Sequence, residues 1–337
     1  MKFLAGLALG LACIAPATAN DTSVVLTTGG LDFVTNLEIA MQSEELFISQ
    51  DEIKVVYEFR NDSGSDQSIL VAFPMPDIVP NFYSPIAFPS GPDDNLFEFE
   101  TTFDGKPVNA TLHEYAIAHG VDRSDVLKEM GLPIVPISGV TQAAVEALDA
   151  ESQARLLHLG MITPDEYDDG QGMKKHYFPG WTYRATYTWE ATFPAGETVT
   201  VVHRYKPSVG GTVGVSFLGE PYDNYDPARE YATKYCTDDS FLKAIRSKLK
   251  NPDEPWSAPY TESWISYILT TGGNWAGNGI EKFRLVVDKG DPKNFVSFCG
   301  DNVTKTGPTT FEMTAENFWP DKELDILILN YSPEMDQ

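Results

Sequence analysis

The chain has 337 residues, with 24 Lys and Arg against 49 Asp and Glu, a formal charge of −25. That balance argues against nucleic acid as a partner and against adsorption to anionic lipid headgroups, since both need clustered basic side chains. With 42% hydrophobic and 12% aromatic residues the chain is globular rather than disordered, and long enough for one large core or two medium ones.

Residues 1–19 have the order of a secretory signal peptide. Met1-Lys2 is a short positive start, Phe3 to Ile14 is a run of apolar and small residues, and Ala17-Thr18-Ala19 supplies a cleavage site before Asn20. The expected location is periplasmic or secreted. The apolar run is too short to span a bilayer, which takes about twenty residues, and no later run approaches that length, so no transmembrane segment is expected in the mature chain. Lipidation at Cys13 is the rival reading, but Gly10 stands where a large aliphatic residue belongs. Removal of residues 1–19 takes Lys2 and Cys13, leaving 23 basic against 49 acidic residues, or −26, and two cysteines. In an oxidising compartment Cys236 and Cys299 have only each other, so a disulfide is expected between them, with two separate buried thiols as the alternative.

Ile53, Val55, Tyr57 and Phe59 alternate with polar residues, and Ile69, Val71 and Phe73 resume the alternation after Asn61-Asp62-Ser63-Gly64. Together they read as a hairpin. The proline-rich residues 77–95 read as a long surface crossing. Phe97, Phe99, Thr101 and Phe103 share one face, and Asp104-Gly105 turns the chain into a return strand through Val108, Ala110 and Leu112.

Residues 114–166 change to helical spacing, with segments near 122–131, 140–148 and 156–159, and read as a helical insertion. Strands return at Tyr183–Trp189 and Val199–Tyr205. Residues 207–226 read as a Gly- and Pro-rich connection. A helix follows near 239–250, with Leu242, Ile245 and Leu249 as its apolar stripe. From 256 to 331 the pattern is β again. The expected fold is therefore mainly β: two β-sandwich-like lobes, 20–206 with the helical insertion 114–166, and 227–337 with one additional helix.

Several segments carry a resemblance. They include Thr28-Gly29-Gly30-Leu31, Met41 to Ser49, Val71 to Ile78, Phe193-Pro194-Ala195-Gly196, Tyr267 to Gly272 with Asn274-Trp275, Phe283 to Lys289, and Ser297-Phe298-Cys299-Gly300. Over nearly the whole mature chain they resemble a bacterial family known only as domain of unknown function 4424. The resemblance implies an exported protein of Gram-negative bacteria and no particular reaction. Tyr57–Asn61 with Phe73-Pro74-Met75-Pro76 also resembles the β-sandwich module near the N-terminus of inter-alpha-trypsin-inhibitor heavy chains, which bears on fold alone.

No stretch carries a strong catalytic, metal or nucleotide motif, so no catalytic residue, metal ligand or cofactor is assigned. The five histidines, His113, His119, His158, His176 and His203, contain no zinc-protease pair. His203 shares a face with Val199 and Val201 and reads as a hydrogen-bonded core residue. Gly214-Val215-Ser216-Phe217-Leu218-Gly219 is one residue too long for a nucleophile elbow. Asp165 to Gly170 and Asp223 to Asp226 are acidic enough to offer calcium oxygens but lack EF-hand spacing. Six tryptophans raise the question of a carbohydrate platform, though alternating aromatics on strands are usually core.

The expected function is that of an exported cell-envelope protein, a non-enzymatic binding or scaffold protein facing an envelope partner. Loops 77–95 and 206–226 and the insertion 114–166 are its expected contact surfaces. The alternative is a secreted carbohydrate-binding protein or hydrolase using exposed aromatics and paired carboxylates.

Overall fold

Strict alternation puts Ile53, Val55, Tyr57 and Phe59 on one buried face of strand Ile53–Asn61. Strand Thr198–Tyr205 pairs with it antiparallel, from Thr198↔Arg60 to Tyr205↔Ile53, and adds Val199, Val201, His203 and Tyr205 to the same face. The computed structural model describes residues 20–27, 30–80, 86–87, 89, 95–168, 170, 172–221, 225–251, 254, 257–277 and 279–335. The signal-peptide reading of residues 1–19, with Cys13, and most of 81–94 lie outside that set.

The fold is mainly β, in three large sheets. The central pair sits in an eight-stranded sheet ordered Thr304–Lys305, Thr310–Phe318, Ile280–Asp288, Ile39–Ile48, Ile53–Asn61, Thr198–Tyr205, Glu100–Phe103 and Lys106–Val108. A six-stranded sheet runs Val121–Asp122, Thr111–Ala118, Thr182–Phe193, Gln67–Pro74, Thr22–Thr27 and Gly30–Val34. A five-stranded sheet runs Phe295–Phe298, Leu324–Tyr331, Tyr260–Tyr267, Val209–Thr212 and Ile86–Ala87.

The six-stranded sheet packs on the inner face of the eight-stranded one. Phe59 meets Phe193 with ring centroids 5.9 Å apart, and Trp189 meets His203 at 5.2 Å. The five-stranded sheet shares the same core through Ile265, Tyr267, Ile326 and Ile328. Period-two alternation then gives that sheet a second buried face. Tyr260, Leu327 and Leu329 pack with Phe217, Tyr231, Tyr235 and Ile245, which lie in or beside the helices that cover them.

Helices α1 (Ser124–Met130), α2 (Gly139–Glu146) and α3 (Ala150–His158) form the insertion, around Leu127, Val145 and Leu156 packed on Ala116 and Trp181. The insertion is shorter than the expected 114–166. Residues 114–118 continue strand Thr111–Ala118, because Ala116 and Ala118 offer a small-residue face on which the helices sit. Beyond the helices, Ile162–Asp168 and Met173–Pro179 pair as a separate two-stranded hairpin. Two further helices follow, α4 (Pro227–Tyr235) and α5 (Asp239–Arg246), against the single helix expected near 239–250. Among the described residues, no helix is long and apolar enough to cross a membrane.

Two expectations are corrected. Ile53–Asn61 and Gln67–Pro74 are not a hairpin; residues 61–66 carry the chain from one sheet to the other. Asn61 fixes that corner, its Nδ2 donating to Ser65 O at 2.9 Å and Phe193 O at 2.8 Å. Nor does 207–226 separate two lobes. Strand Ile280–Asp288 lies parallel to Ile39–Ile48, from Lys282↔Ser43 to Val287↔Ile48, so strands from both sides of the connection share one sheet. Phe283, Leu285 and Val287 extend the apolar row of Leu46 and Ile48, and burial of that shared row decides the pairing. The Asp104-Gly105 turn is as expected, both residues having positive φ (47° and 72°) between paired strands. Its return strand ends at Val108, however, and Thr111 enters the other sheet.

The sulfurs of Cys236 and Cys299 lie at disulfide distance, 2.03 Å. Cys236 closes α4 in a left-handed conformation, and Cys299 follows strand Phe295–Phe298. The link therefore ties a helix to an edge strand across a separation of 63 residues. Reduction, or Cys236→Ser with Cys299→Ser, is expected to cost roughly 2–4 kcal/mol in urea unfolding, because the loop-closure entropy returns to the unfolded chain. Equal unfolding midpoints with and without reductant would contradict this.

Candidate functional site

A cleft of about 640 Å³ lies between α4 and the outward face of the five-stranded sheet. Its walls draw on Val79 and Ile86 from the expected crossing 77–95, and on Thr212, Ser216 and Glu220 from the expected connection 206–226. Two of the three surfaces expected to make contacts thus converge on one site. The helical insertion does not line it.

The chemistry comes from strand Tyr260–Tyr267 and from α4. Ile265 and Tyr267 point to the central core, which leaves Glu262 and Trp264 on the cleft side. Helix α4 begins at Asp226, whose carboxylate accepts from Arg229 N, with Pro227 at the first helical position. Residues four apart then fall on one side, so Tyr231 and Tyr235 both line the cleft.

Glu262 is only 2% exposed. Its carboxylate accepts from Tyr231 OH at 2.6 Å, from Ser216 N at 2.5 Å and from Ser216 Oγ at 3.1 Å. Burial raises its pKa, and the bonds from Tyr231 and Ser216 oppose that rise. Burial, and then the adjacent Glu262 charge, push Tyr231 well above the usual phenol range. Ser216 Oγ is spanned by the Glu262 carboxylate and, at 2.9 Å, by Tyr231 OH. No imidazole is among these partners, so the arrangement gives no general base of the serine-hydrolase kind. What it makes is a buried, bonded cluster that holds Ser216 and Tyr231 in the cleft wall.

The aromatic wall depends on one close approach. Gly210 is the register partner of Trp264, and a Cβ on Gly210 would fall 1.8 Å from Trp264 Nε1. Glu220 and Glu230 add negative charge at the rim, while Lys234, the cation lining the cleft, lies 3.7 Å from Asp325. The cleft is therefore aromatic on one side and net acidic.

A second groove, of about 480 Å³, crosses the outer face of the eight-stranded sheet. There Arg284 donates to Glu312 at 3.2 and 2.9 Å, so cross-strand ion pairs occupy the surface. Among the described residues, the others singled out in the sequence do not assemble; Asp223 and Asn224 of the second acidic run lie outside them. His203 is fully buried in the core, its Nε2 2.9 Å from Asp21 Oδ1. His113 bonds Thr188 and His176 bonds Glu146. Asp168 Oδ1 accepts from Gly170 N and Gly172 N, which closes a hairpin tip. Trp181, Trp189 and Trp275 are core, Trp319 is 57% exposed away from the cleft lining, and Trp256 lies outside the described residues. Glu262, Tyr231 and Tyr235 escaped the sequence reading. Asp226-Pro227 followed by tyrosines four apart was the available signal for α4.

Two outcomes follow from this geometry. Gly210→Ala should displace the Trp264 indole, shifting tryptophan emission and costing about 1–3 kcal/mol; unchanged emission and stability would contradict the close approach. Glu262 favours its protonated form when folded, so its stabilising contribution is full below the unfolded pKa and is lost as pH rises through the raised folded one. Wild type should therefore lose stability relative to Glu262→Gln over that interval in pH-resolved urea melts. A constant difference would contradict it.

The family model described as domain of unknown function DUF4424 matches residues 19–327, which include every cleft residue named above. No curated protein matches. A solved structure from Legionella pneumophila subsp. pneumophila str. Philadelphia 1, described as a candidate nutrient binding protein, is 16% identical, covers 93% of this chain and 70% of its own, and superposes with a TM-score of 0.45.

Proposed function

The chain belongs to the DUF4424 family, and from that premise we propose that it is an exported cell-envelope binding protein. In this reading the cleft at Trp264, Tyr231 and Glu230 holds a small polar ligand bearing basic or hydroxyl groups and leaves it chemically unchanged. The supporting observation is the cleft itself. It is concave, aromatic on one wall and acidic at its rim, and it is built from two long loops and α4 on the sheet. Aromatic faces suit the apolar face of a sugar or the carbons of an amine, and fixed carboxylates suit its N–H and O–H donors. Export is supported by the order of charge, apolar run and small residues in 1–19, and by a cysteine pair that suits an oxidising compartment.

The second reading, a carbohydrate-binding protein or hydrolase, draws on the same aromatic wall and on Glu220, Glu230 and Glu262 in or beside one cleft. Release of reducing sugar that is abolished in Glu262→Gln would select it.

The test is a thermal-shift panel of basic amino acids, polyamines, amino sugars and neutral oligosaccharides, with calorimetry on each hit. A basic or hydroxylated compound should raise the melting midpoint, and Trp264→Ala should weaken its binding at least about tenfold, near 1.4 kcal/mol. Hits that bind Trp264→Ala as tightly as wild type, or no hit in any class, would overturn the proposal.

A further inference from the structure

Asn20 and Asp21 are fully buried where the three sheets meet. Asn20 N donates to Thr271 Oγ1. The Asn20 side chain is held from several directions: its Nδ2 donates to Glu44 Oε2 at 3.0 Å and Leu269 O at 3.3 Å, and its Oδ1 accepts from Tyr57 OH at 2.5 Å and Tyr267 OH at 2.9 Å. Asp21 O accepts from Trp275 Nε1 at 2.5 Å, and Asp21 Oδ1 faces His203.

Glu44 and Asp21 are both buried here, and of the two only Asp21 faces a histidine, His203. Among the described residues no Lys or Arg pairs with Glu44, and Asp21 Oδ2 has no hydrogen-bond partner. A buried carboxylate without a cation is costly. One cation would arise on the residue whose side chain already bonds Glu44. Cleavage after Ala17-Thr18-Ala19 frees the α-amino group of Asn20, whose ordinary pKa of about 7.7–8.0 leaves it largely charged at neutral pH.

We propose that the α-ammonium group of Asn20, created by removal of residues 1–19, docks at Thr271 as the counter-ion of buried Glu44 and locks the three sheets together. Processing would then complete the core as well as release the protein. Without that cation, burial lifts the Glu44 pKa to about 8, so an uncleaved chain carries Glu44 largely protonated at neutral pH. The groups facing this position are Glu44 and Tyr57 from the eight-stranded sheet, Tyr267 and Thr271 from the five-stranded sheet and the turn after it, Asp21 beside it, and His203 beyond Asp21.

The inference shares with the proposed function only the premise of cleavage before Asn20. Four full-length mature chains test it: one starting at Asn20, one retaining Thr18-Ala19, and each again with Glu44→Gln. At pH 6.5 the Asn20-start chain should melt about 5 °C or more above the extended one, and that advantage should vanish in the Glu44→Gln pair. Its α-amine should also react at least about tenfold more slowly with an acylating reagent than in the urea-unfolded chain. Equal midpoints, an advantage that survives Glu44→Gln, or an equally reactive amine would overturn the lock and leave the cleft proposal standing. If Glu44→Gln does not fold, Thr271→Val takes its place and should reduce the advantage; an undiminished advantage would overturn the lock. A periplasmic protein starting at a residue other than Asn20 would remove the shared premise, whereas a ligand-free cleft would not touch the lock.

Discussion

Asn20 and Asp21 are the constraint on which the arrangement of sheets depends. Two consecutive residues bond side chains from strands Ile39–Ile48, Ile53–Asn61, Thr198–Tyr205 and Tyr260–Tyr267, together with Thr271 and Trp275. Hydrophobic burial is non-directional and would let sheets slide over one another at modest cost. Buried polar groups do not allow this, because each lost bond leaves a desolvated partner behind. Strand Thr22–Thr27, which begins directly after Asp21, carries that fixed geometry into the six-stranded sheet through its pairing with Gln67–Pro74.

The cleft inherits its rigidity from this junction. Strand Tyr260–Tyr267 is bonded at Tyr267 on its inner face, while on its outer face Trp264 lines the site and Glu262 holds Tyr231 and Ser216 there. Any displacement of that strand would be felt on both faces at once. On the other wall, the link from Cys236 to Cys299 and the bond from Ser297 Oγ to Tyr235 O, 2.9 Å, hold the end of α4 to the sheet. Floor and wall are thus anchored separately, which suits a site that recognises shape by pre-organisation.

Period-two alternation made most strands legible, and it marked His203 as core because it falls in line with Val199 and Val201. It carried no information on partners. Residues 61–66 look like a hairpin turn, yet Asn61 uses them as a corner between sheets, and Phe283, Leu285 and Val287 could have joined any apolar row. Glu44 was hidden for a local reason. The pairing shifts between Met41 and Ser43, and the extra residue turns Glu44 inward beside Tyr57, whereas simple alternation does not distinguish Glu44 from the outward Glu45. The cleft was half visible. Its loops were marked by proline and glycine, but residues 206–226 read as a plain connection, so the helix start at Asp226-Pro227 was passed over, and with it Tyr231 and Tyr235.

The central claim is that a rigid β framework presents one aromatic, acidic cleft for a small ligand. Native mass spectrometry of the protein isolated gently from its own cells tests this most directly. The account predicts a small-molecule adduct on the intact chain that is missing from Trp264→Ala prepared in the same way. A bare mass for wild type, or an adduct of equal occupancy on Trp264→Ala, would contradict it.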